Sequence, residues 1–244
     1  MDVIGIIPAR YFSSRFEGKV LADIAGKPMI QHVWERAKQS FLLDDLIIAC
    51  DNEQVAEAAR GFGAKVVFTA KAHISGTDRI IEVINPLDVK VIVNIQGDEP
   101  LIHPTMIDDV ARALLEDRSI SMATVIKRIT DPEIIKDPHV VKVVADKNNF
   151  ALYFSRSPIP FLADNSKNKE PVYYKHIGLY AYTKDFLFIY KNLPASNLEK
   201  TEALEQLRVL EEGYRIKVIE TKYDTVGVDT PEDLEKAKER LLGA

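Results

Sequence analysis

Arg10, Arg15 and Lys19 place three cations in one short stretch, interleaved with Ser13, Ser14 and Gly18. Hydroxyls and a glycine backbone let donors come close to an anionic ligand. The stretch follows an apolar run, Val3-Ile4-Gly5-Ile6-Ile7, of the length of one buried strand. A donor-rich basic loop after a first strand points to a polyphosphate site; without that strand it reads as a solvated loop. Gln96-Gly97-Asp98-Glu99-Pro100 leaves another apolar run with two adjacent carboxylates. A carboxylate facing the basic loop suits a magnesium ion bridging phosphates, although Asp, Glu and Pro are also turn residues. Asp229 precedes the last helix and has the same two readings: metal ligand or helix-start acid.

Further along the chain, Arg156 ends a strand-like run in a proline-stiffened segment, where it could grip a carboxylate bidentately or form a surface ion pair. His176 and Tyr180 fall on one face of a strand-like run, as a shared pocket or as satisfied core. Glu205-Gln206 flank the apolar stripe of a helix, where a solvated flank is the ordinary reading. Ser75 and Arg79 open a helix, as a cap and a solvated charge or as a nucleotide-base site.

The elements that must position these residues follow from apolar patterning. Strands are expected at the opening run, which Pro8 should end because it has no N–H. Others are expected at 46–50, 65–68 and 89–95, with helices between them, at about 28–40, 52–63 and 75–84, and after them at 104–116. That alternation predicts parallel strands with crossover helices, and ligands at their carboxyl ends. The second half reads as strands at 121–129, 140–145, 151–155, 173–182 and 214–220. A polar loop is expected at 164–171 and one helix at 198–211. Thr230 should cap a final helix with Pro231 in its first turn.

The chain has 244 residues, 46% of them hydrophobic and 28% charged, enough to bury a sizeable core unaided. Its net charge of −5 argues against broad nucleic-acid binding. The single cysteine, Cys50, excludes an intrachain disulfide and a cysteine-based zinc cluster, and fits a reducing cytoplasm. No run approaches the roughly twenty apolar residues of a membrane span, and no secretory leader is evident. A cytoplasmic protein is expected.

Taken in order, these stretches resemble the CMP-Kdo synthetase (3-deoxy-manno-octulosonate cytidylyltransferase) family. The resemblance is carried by Ile7-Pro8-Ala9-Arg10 with Ser14-Arg15 and Gly18-Lys19, by Ser75-Gly76-Thr77-Asp78-Arg79, and by Asn94-Ile95-Gln96-Gly97-Asp98-Glu99-Pro100. Gly227-Val228-Asp229-Thr230-Pro231 also carries it, and more specific are Tyr153-Phe154-Ser155-Arg156-Ser157-Pro158, His176-Ile177-Gly178-Leu179-Tyr180 and Leu204-Glu205-Gln206-Leu207-Arg208. Phe16-Glu17 and Asp78 depart from the family's more usual residues.

The resemblance implies a Rossmann-like, doubly wound mixed α/β sheet of the sugar nucleotidyltransferase type with a smaller dimerisation lobe. It would form one domain over 1–244: a nucleotide-binding half (about 1–120), a sugar-binding and dimerisation half (about 121–225) and a C-terminal helix (about 230–242). It implies that CTP and Kdo react, with magnesium, to give CMP-Kdo and pyrophosphate for lipopolysaccharide, in a homodimer. Arg10 and Lys19 would hold the phosphates, with Ser14 and Arg15 beside them. Ala9, Ser75 and Arg79 would surround the cytosine and ribose, and Asp98 and Asp229 would ligate magnesium. Lys19, Arg10, Asp98 and Asp229 would form the catalytic group. Gln96, Arg156, His176, Tyr180, Glu205 and Gln206 would line the sugar pocket, with Arg156 on the sugar carboxylate. The alternatives are a cytidylyltransferase for another acid sugar, such as a sialic acid or modified Kdo, and a non-catalytic nucleotide or sugar sensor. The absence of G-x-G-x-x-G spacing weighs against a dinucleotide oxidoreductase.

Overall fold

The computed structural model describes residues 1–12, 16–73, 75–163 and 171–243. Ser14, Arg15 and most of the expected polar loop lie outside the described residues. The first half runs β1 (Val3–Ala9), β2 (Asp23–Ile24), β3 (Lys27–Pro28), α1 (Met29–Ala37), β4 (Asp45–Cys50), α2 (Glu53–Gly61), β5 (Lys65–Phe68), α3 (Gly76–Ile84), β6 (Val91–Asn94) and α4 (Pro104–Glu116). β5, β4, β1 and β6 lie side by side in that order, all parallel. In chain order this is a 3-2-1-4 arrangement, which reverses direction at β1 and so opens a crevice at the carboxyl ends of β1 and β6. Val, Ile and Leu fill β1, β4 and β6 because helices cover both faces.

One expectation is corrected at the outset: Pro8 does not end β1, which continues to Ala9. Ile6 accepts a bond from Ile95 on the β6 side. Pro8, two residues on, faces the same way, beyond the end of β6 at Asn94. Its missing N–H therefore leaves no ladder bond unmade. Its carbonyl instead faces Gly97, where an added Cβ would sit 3.1 Å from it. Glycine is what lets the turn after β6 pass over the end of β1.

The second half adds β7 (Met122–Ile129), α5 (Pro132–Lys136), β8 (Lys142–Ala145), β9 (Ala151–Ser155), β10 (Tyr173–Thr183), α6 (Lys184–Asn192), α7 (Asn197–Glu202), α8 (Gln206–Glu211), β11 (Lys217–Glu220) and α9 (Pro231–Leu242). β10 runs antiparallel between β6 and β7, and β11 closes the edge parallel to β7. Both halves therefore build one mixed sheet. The β8–β9 hairpin leaves it to form a smaller lobe, attached through β10.

Two differences from the expected elements bear on the site. The helix expected over 198–211 is two helices. Ala203 adopts a left-handed conformation (φ 52°) after α7, and the chain restarts at α8 with Glu205 as its N-cap residue. In β10 a bulge between Ile177 and Tyr180 breaks the pairing with β7, which re-aims the side chains on either side. The short α5 and α6 were not anticipated from the pattern. The expected caps are present: Ser75 forms a capping box with Asp78, and Thr230 forms one with Asp233 after which Pro231 starts α9.

Phe154 is fully buried in the cluster that joins the hairpin to α8 and β10, edge-on to His176. Phe154→Ala is expected to cost about 3–5 kcal/mol, read as a lower denaturant midpoint at unchanged slope.

Candidate active site

At the carboxyl edge of the sheet, β1 ends at Ala9, whose side chain is buried. Arg10 follows, exposed, on the rim of a cleft lined also by Pro8, Lys19, Gln96, Gly97 and Asp98. The chain then returns through Gly18, whose left-handed φ of 67° starts the 3-10 turn carrying Lys19. Gly18 donates to the Tyr11 carbonyl at 2.8 Å, closing the loop on itself.

Lys19 is the centre of the edge. Its Nζ lies 2.5 Å from Asp98 Oδ2, 3.0 Å from Asp229 Oδ1 and 3.1 Å from the Val228 carbonyl. Burial opposes the ammonium charge, but Asp98, then Asp229, outweigh it and hold its pKa above the usual lysine value. Asp98 comes from the turn after β6, and Asp229 from the loop that leads into α9. The two stretches are joined directly by Val228 N donating to the Asp98 carbonyl at 2.9 Å.

Beside them sits a group that the sequence reading left without a role. Glu99 has a buried Oε2 with no hydrogen-bond partner. Burial, then the neighbouring Asp98 charge, pushes its pKa up to about 7 against the hydrogen bond to Thr225. An added Cβ at Gly227 would lie 3.3 Å from Glu99 Oε1, so the glycine lets the Asp229 segment pass over this carboxyl.

Magnesium suits this donor set. Two hard carboxylates from separate parts of the chain converge on one cation, here an ammonium. Among the described residues no third acidic or histidine side chain joins them. Magnesium is commonly held by one or two carboxylates, with water and substrate phosphates completing its shell.

The residues expected around a sugar fall into two groups. Gln96 donates to Asn94 Oδ1 at 3.2 Å and packs beside Gly178 at the β10 bulge. His176 and Tyr180 lie on either side of that bulge with rings 5.3 Å apart. His176 Nε2 is 3.0 Å from Thr124 Oγ1, and burial pushes its pKa down to about 3, so the imidazole is neutral. Burial likewise raises Tyr180 well above an ordinary phenol. Glu205 is pushed up by burial, eased by Arg208, and feels the charges of Asp78 and Arg10. Gln206 is buried, and its Nε2 has no partner.

Two expectations are corrected. Arg79 is no solvated charge, and it is not among the side chains that line the cleft at Arg10. It is fully buried, ion-paired to Asp51 at 2.6 Å and bonded to Thr69. There it ties the start of α3 to the end of β4, while Ser75 serves as the cap. Arg156 does not present a free fork to a carboxylate. Its Nε and Nη1 donate to the carbonyls of Glu202 at 2.8 Å and Pro138 at 3.0 Å. It braces the α7–α8 break from the hairpin side. Neither arrangement was legible from local sequence, because the partners are distant in the chain.

A 3-2-1-4 parallel core with a basic turn and paired carboxylates across its carboxyl edge defines a nucleotidyltransferase-type α/β enzyme. A cytidylyltransferase family model matches residues 4–218. A 3-deoxy-manno-octulosonate cytidylyltransferase of Solibacter usitatus is 54% identical over 242 residues, covering 99% of this chain and 95% of that one. The Geobacter sulfurreducens protein of the same name is 49% identical, covering 99% of this chain and all of the other. Among solved structures, CMP:2-keto-3-deoxy-manno-octonic acid synthetase complexed with CTP superposes with a TM-score of 0.93 at 42% identity, over 100% of this chain and 99% of that one. The chain belongs to the 3-deoxy-manno-octulosonate cytidylyltransferase family.

The neutral His176 sets a pH dependence. Unfolded, it takes a proton near the ordinary histidine value of 6.5; folded, it resists down to about 3. Its contribution to stability is therefore complete above pH 6.5 and is lost as pH falls from there toward 3. Melting temperatures measured from pH 7 to 4 should fall more steeply in the parent protein than in His176→Gln; parallel curves would contradict a neutral imidazole.

Proposed function

We propose that this chain transfers the cytidylyl group of CTP to 3-deoxy-D-manno-octulosonate, releasing pyrophosphate and supplying CMP-Kdo for lipopolysaccharide. The observation that carries the reading is the convergence of Asp98 and Asp229 on Lys19 at the crevice between β1 and β6. The proteins it resembles over its full length carry that activity in their names, and the synthetase structure holds CTP.

The chemistry asks an anionic sugar to approach an anionic nucleotide. The chain's first task is to offset that repulsion. Arg10 and Lys19 supply fixed positive charge to the phosphates, and Ser14 and Arg15 belong to the same loop. Ala9 and Ser75 flank the position of the base and ribose, with Arg79 bracing the floor beneath. Asp98 and Asp229 would hold magnesium, which when bound neutralises phosphate charge and favours ionisation of the attacking hydroxyl. When it is held there, the Lys19 ammonium is free to pair with a phosphate.

The sugar acid would lie against Gln96, His176, Tyr180, Glu205 and Gln206. The neutral imidazole, the phenol and the carboxamides can donate to its hydroxyls, and Gln206 has a buried amide without a partner. Arg156 shapes this pocket by holding the α7–α8 break rather than by gripping the substrate. Displacement at the α-phosphate then rests on positioning and charge stabilisation, without a covalent enzyme intermediate.

A homodimer and a cytoplasmic location complete the proposal. Leu152, Phe161 and Leu162 of the hairpin lobe and its following segment are exposed apolar side chains, as a subunit contact would need. No helix among the described residues is long and apolar enough to cross a membrane.

Pyrophosphate release from CTP and Kdo tests the reading. The parent protein should turn over with magnesium, and Asp98→Asn should lower kcat/KM by a factor of about 100 or more. Equal turnover by the variant, or none by the parent, would contradict it.

A further inference from the structure

Lys127 of β7 and Lys175 of β10 are direct cross-strand partners. Like charges in such a pair repel, and both side chains are largely buried, at 24% and 17% exposure. An anion between them is needed, and neither strand provides it. It comes from the segment leading to Asp229. Asp224 Oδ1 accepts from Lys175 Nζ at 2.5 Å, and Oδ2 lies 3.1 Å from Lys127 Nζ. Arg240 of α9 adds a third cation at 3.5 Å.

We infer that Asp224 is a positioning residue: by filling the socket between Lys127 and Lys175 it anchors the segment that presents Asp229. The inference rests on the reading of Asp229 as a magnesium-holding carboxylate. Three observations support it. The segment is tied down at several further points after Asp224. Thr225 bonds Glu99, Gly227 packs on Glu99, Val228 bonds Asp98 and Lys19, and Thr230 caps α9. The anchor is also strongly charged. Burial works against ionisation of Asp224, yet the hydrogen bond and charge of Lys175, then those of Lys127, prevail and hold its carboxyl down at about 2. Finally, the anchor spans three elements, β7, β10 and α9, so it fixes the approach to Asp229 relative to the sheet and not only to its own helix.

Groups behind a metal ligand characteristically change metal affinity by about 10- to 100-fold when removed. The test measures Mn²⁺ retained by the full chain in the presence of CTP, by the paramagnetic resonance of the free ion. Asp224→Asn should weaken retention about tenfold, and Asp224→Glu should recover most of it. The magnesium concentration for half-maximal turnover should rise in step, with kcat at saturating magnesium changing much less. Lys127→Gln should shift both readings in the same direction, and it serves if Asp224→Asn does not fold. Unchanged Mn²⁺ retention in Asp224→Asn, or in Lys127→Gln should the former not fold, overturns the anchor, whatever the melting temperature does. Asp229→Asn separates the two claims. If it abolishes retention while Asp224→Asn does not, only the anchor fails; if it too has no effect, the metal reading fails with it.

Discussion

Two carboxylates packed side by side at a sheet edge stay ionised together only at a cost, unless a cation lies between them. Unscreened, they would repel by several kcal/mol at protein-surface dielectric. Lys19 resolves this for Asp98 and Asp229. Much of the architecture follows from that constraint. β1 must run past the Ile6–Asn94 pair at which β6 stops, so that the turn bearing Asp98 meets the loop bearing Lys19. The C-terminal segment must then cross the same edge to deliver Asp229. Gly97 and Gly227 mark the two close crossings, over Pro8 and over Glu99. A Cβ at either would crowd its neighbour, the Pro8 carbonyl or the Glu99 carboxyl. The same ammonium that satisfies the carboxylates is also a charge of the kind a triphosphate requires.

The cross-strand lysines show the same logic with the signs reversed. There the sheet carries the unfavourable like-charge pair, and a loop brings the compensating ion. Both devices tie the C-terminal segment to the sheet through charge rather than apolar area. A small apolar cluster, with Val228, Leu234 and Ala237 packed on Ile24 and Met29, secures the helix that follows. The site is thus assembled from the first strand, the fourth parallel strand and the last loop, while under the proposed function the second half of the sheet would supply the wall for the sugar.

The parallel core was legible because Val- and Ile-rich runs alternating with amphipathic helices leave few topologies. The caps at Ser75 and Thr230 were legible because their partners are three residues away. Pro8 misled because a missing N–H ends a strand only if a neighbour needs it, and β6 had already stopped. The break at Ala203 was hidden because its apolar spacing fits a continuous helix; a left-handed alanine leaves no mark in the pattern. Arg79 and Arg156 were legible as cations but not as braces, since Asp51, Thr69, Pro138 and Glu202 reach them only through the fold. Glu99 was seen only as a neighbour of Asp98. A carboxyl next to a metal-ligand candidate, followed directly by the apolar Pro100-Leu101-Ile102, is the signal that could have marked it.

The central claim is that Asp98, Asp229 and Lys19 form one electrostatic unit that receives a metal-bound triphosphate. A crystal structure of the chain with CTP and magnesium tests it most directly. The account predicts a cation between the two carboxylates and the phosphates, with Lys19 Nζ turned from the carboxylates to a phosphate oxygen. Phosphates seated away from this edge, or Lys19 still bridging Asp98 and Asp229 with CTP bound, would contradict it.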